Sequence, residues 1–417
     1  MDINKIKTEI RKEISLWVSD KQKLNEDFIR ERVVLFFKHK AESGQYLDLK
    51  EADKEMLIKS LSADYTGLGP IQKLMDDEDI TEIMINGPQR VYIEKNGKKN
   101  KTDVKFESSE HLKYIVEKMI RPTGRRVDES FPYVDFALEN GSRVNVILPP
   151  LSVGGATVTI RKFLRSIESV NDLVKLGTVD QRMADFLVAC IKAKVNILFS
   201  GATGSGKTTT LEVLSSYIDP AERIVTIEDA LELTLRQEHV VRLLSRPPNI
   251  EGKGEVTIRD LFCNTLRMRP TRIILGEIRG EEAMDYLQAL NSGHKGSLAV
   301  IHASNPQDTL TRLETSALYA SLNLPTWAIR EQIAYGLDLI VQHEQLIDGS
   351  RKITYLTEVQ NLKDNQVILQ DIFRYYIEGV NEDLIVQGKF KACGKPSFMH
   401  LFKKKGIKID EKIFNPD

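Results

Sequence analysis

Apolar residues at the start of the chain recur at intervals of three and four, the spacing that places side chains on one face of a helix. The first stripe comprises Ile3, Ile6, Ile10, Ile14 and Trp17. Two more stripes follow, one with Phe28, Val33, Phe36 and Phe37 and one with Met56, Leu57 and Leu61. The pattern is interrupted at Gly44 and at Gly67-Leu68-Gly69-Pro70. We therefore predict a helical N-terminal region over residues 1–62.

A mixed pattern follows from about 63 to 165. Asn96-Gly97 lies between two alternating runs, 91–94 and 102–106, and Asn-Gly in that context is a strong β-hairpin signal. The other predicted elements here are a helix at 111–120 and strands at 144–148 and 157–160. We interpret 63–165 as a small α/β domain.

From about 166 onward, short apolar strands alternate with helical segments, which is typical of a parallel sheet covered by helices. The predicted strands are 196–200, 223–227, 272–275 and 297–301, and the predicted helices are 207–218, 257–267 and 281–292. Asn305-Pro306 begins a further helix, because Asn is a favoured cap and Pro a favoured first residue. After about 337 we expect short strands and a lysine-rich tail. We assign 166–417 to one domain, with 337–417 as its C-terminal extension.

Composition narrows the classes of protein. The chain has 417 residues, 41% hydrophobic and 29% charged, which excludes collagen-like, disordered and disulfide-framework proteins. Its net charge of −1 offers no basic excess for nucleic acid. No apolar run is long enough to span a membrane, and the first residues lack the apolar core of a signal peptide. Cys190, Cys263 and Cys393 stand far apart, so we expect reduced thiols in the cytoplasm.

Residues 201–208 match the phosphate-loop pattern GxxxxGK[ST] between a predicted strand and a predicted helix. Glycines let backbone N–H groups surround a phosphate, and the helix adds the positive end of its dipole. Lys207 should reach the β- and γ-phosphate oxygens, and the Thr208 hydroxyl should bind Mg²⁺. The predicted nucleotide contacts are Gly201, Thr203, Gly204, Ser205, Gly206, Lys207, Thr208 and Thr209. A glycine-rich turn without function is the alternative.

Two predicted strands end in acidic residues. Gly276-Glu277 follows 272–275, and Glu228-Asp229 follows 223–227, with Glu232 close behind. If the two strands are neighbours, both acidic clusters lie at the carboxyl edge, where open α/β sheets bind ligands. Glu277 is therefore predicted to act as the general base or to orient the attacking water. A solvated acid without a catalytic part is the alternative.

Two of the seven histidines, His294 and His302, stand on either side of the predicted strand 297–301. His302 follows the strand and is placed to donate to a γ-phosphate and to respond to its loss. An isolated histidine is more often structural, and that alternative stays open for both. A metal site is disfavoured, because no cysteine or close second histidine accompanies them.

Four blocks in chain order resemble the type II/type IV secretion ATPase superfamily. They read GATGSGKTTTL, IVTIEDALEL, LRMRPTRIILGEIRG and SGHKGSLAVIHASNP, and are similar to its Walker A motif, Asp box, Walker B motif and His box. An upstream block is similar, more narrowly, to the CpaF-type ATPase of tight-adherence (Flp) pilus assembly; it reads RVDESFPYVDFALENGSRVNVILPPLSVGGATVTIRKF. The resemblance runs from about Tyr65 to the C terminus.

The resemblance implies a RecA-like P-loop core with a parallel sheet, preceded by a small α/β (PAS-like) domain and an N-terminal helical region. It implies a homohexameric ring that hydrolyses ATP with Mg²⁺ at the inner face of the bacterial cytoplasmic membrane. The work would be assembly, and in some members retraction, of a pilus with inner-membrane platform proteins and without nucleic acid. A nucleotide-gated scaffold and a conjugation-type type IV secretion ATPase are the alternatives.

The resemblance also assigns roles to residues. Glu277 would be catalytic, and Glu228 and Glu232 would form the Asp box, with Glu228 reaching Mg²⁺ through water. His294 and His302 would couple the nucleotide state to domain motion.

Two arginines of the small domain complete the implied site. Arg143 and Arg161 match positions where the family has arginines that reach phosphate, and surface ion pairing is the alternative. Ala137, Thr271 and Lys295 depart from the family pattern, which has Arg, Asp and Asp there, so one ion pair of relatives is absent or replaced.

Overall fold

The computed structural model describes residues 3–17, 25–46, 49–95, 97–162, 167–249, 252–320 and 324–415. The chain divides into two compact units, Met1–Leu164 and Arg165–Asp417. Each unit has hydrophobic cores of its own.

The first unit begins with the helices α1 (Ile3–Trp17), α2 (Glu26–Glu42) and α3 (Glu51–Thr66). The predicted helical character of this region is confirmed. Ile6, Ile10 and Ile14 on α1 are buried against the apolar face of α2, as their spacing requires. In the third stripe Leu57 and Leu61 are buried as predicted, but Met56 is exposed and Ile58 is buried in its place.

The rest of the first unit is an antiparallel sheet with a covering helix. Its elements are α4 (Gln72–Asp76), β1 (Ile80–Asn86), β2 (Val91–Lys95), β3 (Lys98–Lys101), α5 (Ser109–Ile120), β4 (Tyr133–Ala137), β5 (Arg143–Ile147) and β6 (Thr157–Arg161). The strand order is β3-β2-β1-β6-β5-β4, and every pair is antiparallel. Leu112, Ile115 and Val116 of α5 pack into the core of this sheet.

The predicted hairpin is present, but its second strand begins earlier in the chain than predicted. Lys95 pairs with Lys98, so β3 is the exposed run Lys98–Lys101 rather than 102–106, and Asn96 of the predicted turn lies outside the described residues. The ladder ends where the Thr102 amide donates to the Val91 carbonyl oxygen. Four successive exposed residues carry no alternation, which is why the pattern did not show the strand.

The second unit contains a nine-stranded sheet. Its elements are α6 (Val170–Lys175), α7 (Gln181–Ala193), β7 (Ile197–Gly201), α8 (Lys207–Ser215), β8 (Ile224–Glu228), β9 (Val240–Leu244), α9 (Ile258–Thr265), β10 (Arg272–Leu275), α10 (Glu282–Asn291), β11 (Leu298–Ile301), α11 (Pro306–Leu318), α12 (Thr326–Gly336), β12 (Leu339–Gln345), β13 (Arg351–Lys363), β14 (Gln366–Val380), β15 (Val386–Ala392) and α13 (Met399–Lys404). The strand order is β15-β14-β13-β12-β7-β11-β10-β8-β9. The strands from β12 to β9 are parallel, and β13, β14 and β15 extend the sheet in antiparallel fashion.

Both faces of the parallel part are buried, which explains its continuous apolar strands. Along β7, Ile197 and Phe199 belong to the core formed with α7 and α8, whereas Leu198 belongs to the core formed with α9 to α12. The predicted α/β class with a parallel sheet is confirmed. Asn305 caps α11 by accepting from the Asp308 amide, as its Asn-Pro sequence predicted.

The strands after 337 are long, not short as predicted. β13 has 13 residues and β14 has 15. Their apolar pattern is interrupted by buried polar residues that have partners inside the fold: Thr357 bonds Asp371, and Glu358 accepts from Ser397. Part of the lysine-rich tail is helix α13, whose Phe402 is buried against Phe186.

Candidate nucleotide-binding site

The glycine-rich loop lies at the carboxyl end of β7, the middle strand of the nine-stranded sheet. β7 pairs with β12 on one side and with β11 on the other, and all of its residues are buried. The chain then passes through 202–206 into α8, with Gly206 as the helix cap. The amide groups of the first turn of α8 therefore face the space above this loop, where an anion is favoured.

Two glycines of this loop are required by their surroundings. Gly201 has φ +148°, and a Cβ there would lie 2.4 Å from the carbonyl oxygen of His343 and 2.7 Å from Oγ of Ser205. Gly206 adopts a left-handed conformation with φ +100° at the start of α8. Side chains at these positions would disturb the loop backbone, so the glycines of the motif have a geometric reason.

Lys207 is buried and folds back over the loop. Its Nζ donates to the carbonyl oxygens of Gly201 at 2.9 Å and Ala202 at 2.8 Å. The hydroxyl of Ser205 also donates to Ala202. Neutral carbonyl oxygens only partly compensate a buried ammonium group, and a phosphate would be a stronger partner for it.

The remaining motif threonines take no part in this hydrogen bonding pattern. Thr203 is exposed, and Thr208 and Thr209 are half-buried in the segment that begins α8. Their predicted contacts with nucleotide and metal remain predictions.

The two acidic strand ends are side by side. β8 and β10 are parallel neighbours with Ile227 opposite Leu275, so the expected pairing of these strands is confirmed. The Gly276 amide donates to Ile227, and a Cβ at Gly276 would lie 3.0 Å from Cγ of Glu228. Glycine at 276 therefore gives room for the Glu228 side chain beside Glu277.

Glu277 is held by two donors. Its Oε1 lies 3.0 Å from Nε2 of His302, and its Oε2 lies 2.5 Å from a terminal nitrogen of Arg279. Burial raises the pKa of Glu277, but the hydrogen bonds from His302 and Arg279 outweigh burial and lower the pKa to about 2. A carboxyl group with so low a pKa stays ionised at neutral pH and accepts a proton poorly.

His302 connects the acid to the phosphate loop. Its Nε2 faces Glu277, and its Nδ1 lies 3.5 Å from Nζ of Lys207. Three residues predicted separately from three motifs thus form one series of contacts at the carboxyl edge of the sheet. His294 is not part of it: it precedes β11, whose parallel pairing with β7 places it at the amino edge.

Glu228 and Glu232 belong to a neighbouring acidic cluster. Oε1 of Glu228 accepts from the amides of Glu232 at 2.8 Å and Leu233 at 2.7 Å. Burial raises the pKa of Glu228, although these backbone bonds oppose it. Glu212 on α8 accepts from the Thr234 amide, and burial, with help from the nearby acids, raises the pKa of Glu212 to about 7.

The donor set suits a magnesium ion. Oε2 of Glu228 is buried and accepts no hydrogen bond from the described residues, although the Arg242 guanidinium lies 3.8 Å away. Thr208 supplies a hydroxyl in the first turn of α8. Such hard oxygen donors are those that Mg²⁺ prefers, and a bound ion would neutralise charge on phosphate oxygens. Thr208, and Glu228 through water, would hold it.

Arg143 and Arg161 lie in the first unit, on β5 and β6. They are register partners across this strand pair, and Arg161 is exposed. Their predicted contact with phosphate remains a prediction.

Sequence reasoning missed several neighbours of the site. Arg279, two residues after Glu277, could have been found, since it stands in the same GEIRG segment. Arg351 and His343 could not: Arg351 donates to the Gly204 carbonyl oxygen across 147 residues, and His343 contacts Thr210 across 133.

A largely parallel sheet in which an inner strand ends in this loop, and two further strands of the same sheet end in acids, defines a P-loop nucleotide-binding protein with a RecA-like core. Residues 64–366 match the family described as "Type II/IV secretion system protein". The chain belongs to this family and is an ATPase.

Relatives extend over most of the chain. A putative conjugal transfer protein of Mycobacterium tuberculosis is 31% identical over 340 residues, which cover 79% of this chain and 95% of that protein. The type IV secretion system protein PtlH of Bordetella pertussis is 34% identical over 295 residues, covering 64% and 86%. The solved structure of the Yersinia pseudotuberculosis ATPase DotB has a similar fold, with TM-score 0.51, 16% identity, and coverage of 71% and 78%.

Within the part of the chain that the structure describes, no helix is both long and apolar enough to cross a bilayer.

Proposed function

We propose that this chain is the ATP-driven motor of a tight-adherence (Flp) type IV pilus assembly system. The observation that carries ATP hydrolysis is the series of contacts from Lys207 through His302 to Glu277. The resemblance of the upstream block to the CpaF type supports the pilus as the structure on which the motor acts.

Each residue of the series has a distinct task in this proposal. Lys207 and the loop amides bind the β- and γ-phosphates of ATP. Glu277 orients the attacking water, since its carboxylate stays ionised at neutral pH. His302 touches both groups, so loss of the γ-phosphate changes its surroundings directly. Hydrolysis of this kind depends on positioning and charge more than on covalent chemistry.

The family resemblance supports the remaining roles that we propose. Glu232 completes the Asp box with Glu228, and His294 transmits the nucleotide state to other parts of the motor. Arg143 and Arg161 reach phosphate from the small domain, where a guanidinium stabilises charge on the transferring phosphoryl group.

The proposed assembly is a homohexameric ring at the inner face of the cytoplasmic membrane. It would act on inner-membrane platform proteins that add pilin subunits. We propose three domains for each protomer, at 1–62, 63–165 and 166–417, with 337–417 as an extension of the last.

A second candidate is a type IV secretion ATPase of the conjugation kind. It is favoured by the names of the relatives: one is a putative conjugal transfer protein and another a type IV secretion system protein. Site chemistry does not separate the two candidates, because both need the same hydrolysis.

Steady-state hydrolysis tests the catalytic assignment. E277Q keeps the shape of the side chain but removes its charge, so we expect kcat to fall about 100-fold or more. E331Q, which changes an exposed glutamate on α12, is the matched control and should keep the wild-type rate. Wild-type turnover in E277Q would remove Glu277 from the catalytic role. K207A should lose nucleotide binding, and tight binding by K207A would refute the phosphate loop.

Complementation separates the pilus motor from the secretion ATPase. A strain lacking the chain should lose surface pili, and the wild-type chain, but not E277Q, should restore them. Loss of protein or DNA export with normal pili would favour the second candidate.

Mass measurement tests the ring. Light scattering with a non-hydrolysable ATP analogue should give a hexamer, and a monomer with and without the analogue would contradict the ring. Binding and assembly without turnover would favour a nucleotide-gated scaffold.

A further inference from the structure

The β12–β13 hairpin contacts the nucleotide site at three points, although no recognised motif includes it. Nε2 of His343 lies 3.0 Å from Oγ1 of Thr210 on α8. Nε2 of the Gln342 side chain donates to the carbonyl oxygen of Ala303, the residue after His302. Nε of Arg351, the first residue of β13, donates to the carbonyl oxygen of Gly204 at 2.7 Å. The last contact is made with the phosphate loop itself.

Arg351 makes this contact from a fixed position. It pairs in register with Gln345 across the hairpin, and its Cδ lies 3.6 Å from the place that a Cβ of Gly206 would occupy. The donor is Nε, which lies inside the side chain rather than at its end. The side chain therefore follows the outer surface of the loop and holds one carbonyl group there.

That carbonyl group controls the direction of an N–H group. In a trans peptide, the C=O of Gly204 and the N–H of Ser205 point in opposite directions. With the carbonyl held by Arg351, the Ser205 amide points into the loop, where it makes a long bond of 3.3 Å to Ala202. Inward amides are what a phosphate loop offers to an anion.

Gly204 makes this peptide easy to turn. The peptide that joins Gly204 to Ser205 turns by rotation about ψ of Gly204 and φ of Ser205. Because Gly204 has φ +77° and no Cβ, its side of this rotation meets little steric resistance. A hydrogen bond that involves a charged donor is stronger than a neutral one and suppresses the turned state. The contact thus favours the conformation that binds phosphate before the nucleotide arrives.

We propose that Arg351 is a positioning residue for nucleotide binding, which acts by holding the Gly204 carbonyl outward through its Nε–H group. The proposal rests on the assignment of 201–208 as the phosphate loop. Arg351 acts through the loop and not on the reacting atoms. Its loss should therefore weaken binding of ATP much more than it slows turnover.

Two variants separate the hydrogen bond from the charge. In R351Q, the amide nitrogen of Gln lies the same number of bonds from Cα as Nε of Arg, so a donor remains and the charge is lost. In R351K the charge remains, but a methylene group takes the place of Nε. R374Q is the matched control: Arg374 lies on the adjacent strand β14 and stacks on Tyr355 and Tyr376.

Binding of a fluorescent ATP analogue and steady-state kinetics are the measurements, with thermal unfolding of the nucleotide-free chain as the check on folding. We expect R351K to raise Kd and KM about 10-fold or more, the effect of losing a charged hydrogen bond. R351Q should stay within about threefold of wild type, and kcat should change little in either variant. R374Q should bind like the wild type.

Several results would overturn the proposal. Wild-type binding by R351K with weak binding by R351Q would show that charge alone matters, and wild-type binding by both would remove any role. Equal weakening in R374Q would make the effect unspecific. Failure of the nucleotide-free variants to fold would show an ordinary structural role. Absence of nucleotide binding by the wild type would instead refute the phosphate-loop assignment. That result is distinguishable from failure of the Arg351 proposal, in which the wild type still binds nucleotide.

Discussion

His343 makes the stability of the second unit depend on pH in a way that the structure specifies. The side chain is fully buried on β12, with Nδ1 toward the Val341 carbonyl oxygen and Nε2 toward the hydroxyl of Thr210. Burial lowers the pKa of His343 from 6.5 to about 3, and the neighbouring Lys207 adds to the effect. The folded chain therefore keeps this imidazole neutral at pH values where the unfolded chain protonates it.

The sign and size of the effect follow from proton linkage. Between pH 6.5 and pH 3 the unfolded state binds one more proton than the folded state, so the free energy of unfolding falls as the pH falls. At pH 5.0 the loss due to this group is about 2 kcal/mol, since each pH unit contributes about 1.4 kcal/mol. Above pH 7 the contribution vanishes, because both states are neutral.

H343Q tests this reasoning. Gln keeps hydrogen-bonding atoms near Thr210 but does not titrate. Between pH 7.5 and pH 5.0 the free energy of unfolding should therefore fall by about 2 kcal/mol less in the variant than in the wild type. The measurement is denaturant unfolding of the nucleotide-free chain at both pH values. H400Q, which removes an exposed histidine of the same unit, should keep the wild-type pH dependence. An unchanged loss in H343Q would refute a neutral buried imidazole at this position.

Three further substitutions have defined outcomes. G201A places a methyl group against the His343 carbonyl oxygen, so nucleotide binding should be lost in an equilibrium titration, and an unchanged Kd would contradict the loop geometry. R272M removes a buried guanidinium that bonds both carboxylate oxygens of Glu222. The free energy of unfolding, measured with denaturant, should fall by about 3–5 kcal/mol. A fall of less than about 1 kcal/mol would contradict a stabilising role for this buried ion pair. D64N removes a buried carboxylate beside Lys7, Arg11 and His111 in the first unit. Burial raises the pKa of Asp64, but its hydrogen bonds and neighbouring cations outweigh burial and lower the pKa, so Asp64 stabilises the fold above about pH 4. The destabilisation by D64N should therefore be largest near pH 7 and shrink as the pH falls below 4, as measured by unfolding at several pH values.

The sequence was sufficient for the parts of the fold in which local pattern and tertiary environment agree. β7, β8, β10 and β11 are buried on both faces, so they appear as apolar runs, and the Asn305 cap marks the start of α11. Strands with one exposed face or with buried polar pairs were harder to predict from the sequence. β9 is half-exposed at the edge of the sheet, and the length of β13 was hidden by Thr357 and Glu358, whose partners lie on other elements.

The residues of the candidate site likewise fall into those that the sequence predicts and those that it does not. The phosphate loop and Glu277 belong to short motifs, so their residue types and spacing were informative. Glu212 resembles any helix-surface glutamate until Thr234 is folded against it, and Arg351 is one arginine among many until β13 lies beside Gly204. Contacts between residues far apart in the chain depend on strand order, and strand order was not encoded in a local pattern.

The pairing of β12 with β7 determines where this chain can be divided for engineering. Because the strand that ends in the phosphate loop has β12 as its neighbour, removal of everything after 337 would open the middle of the catalytic sheet to water. Fragments for biochemistry, or chimeras that exchange ATPase modules between relatives, should therefore retain the chain through β15 and α13. The divide between Leu164 and Arg165 is a junction at which neither sheet is cut.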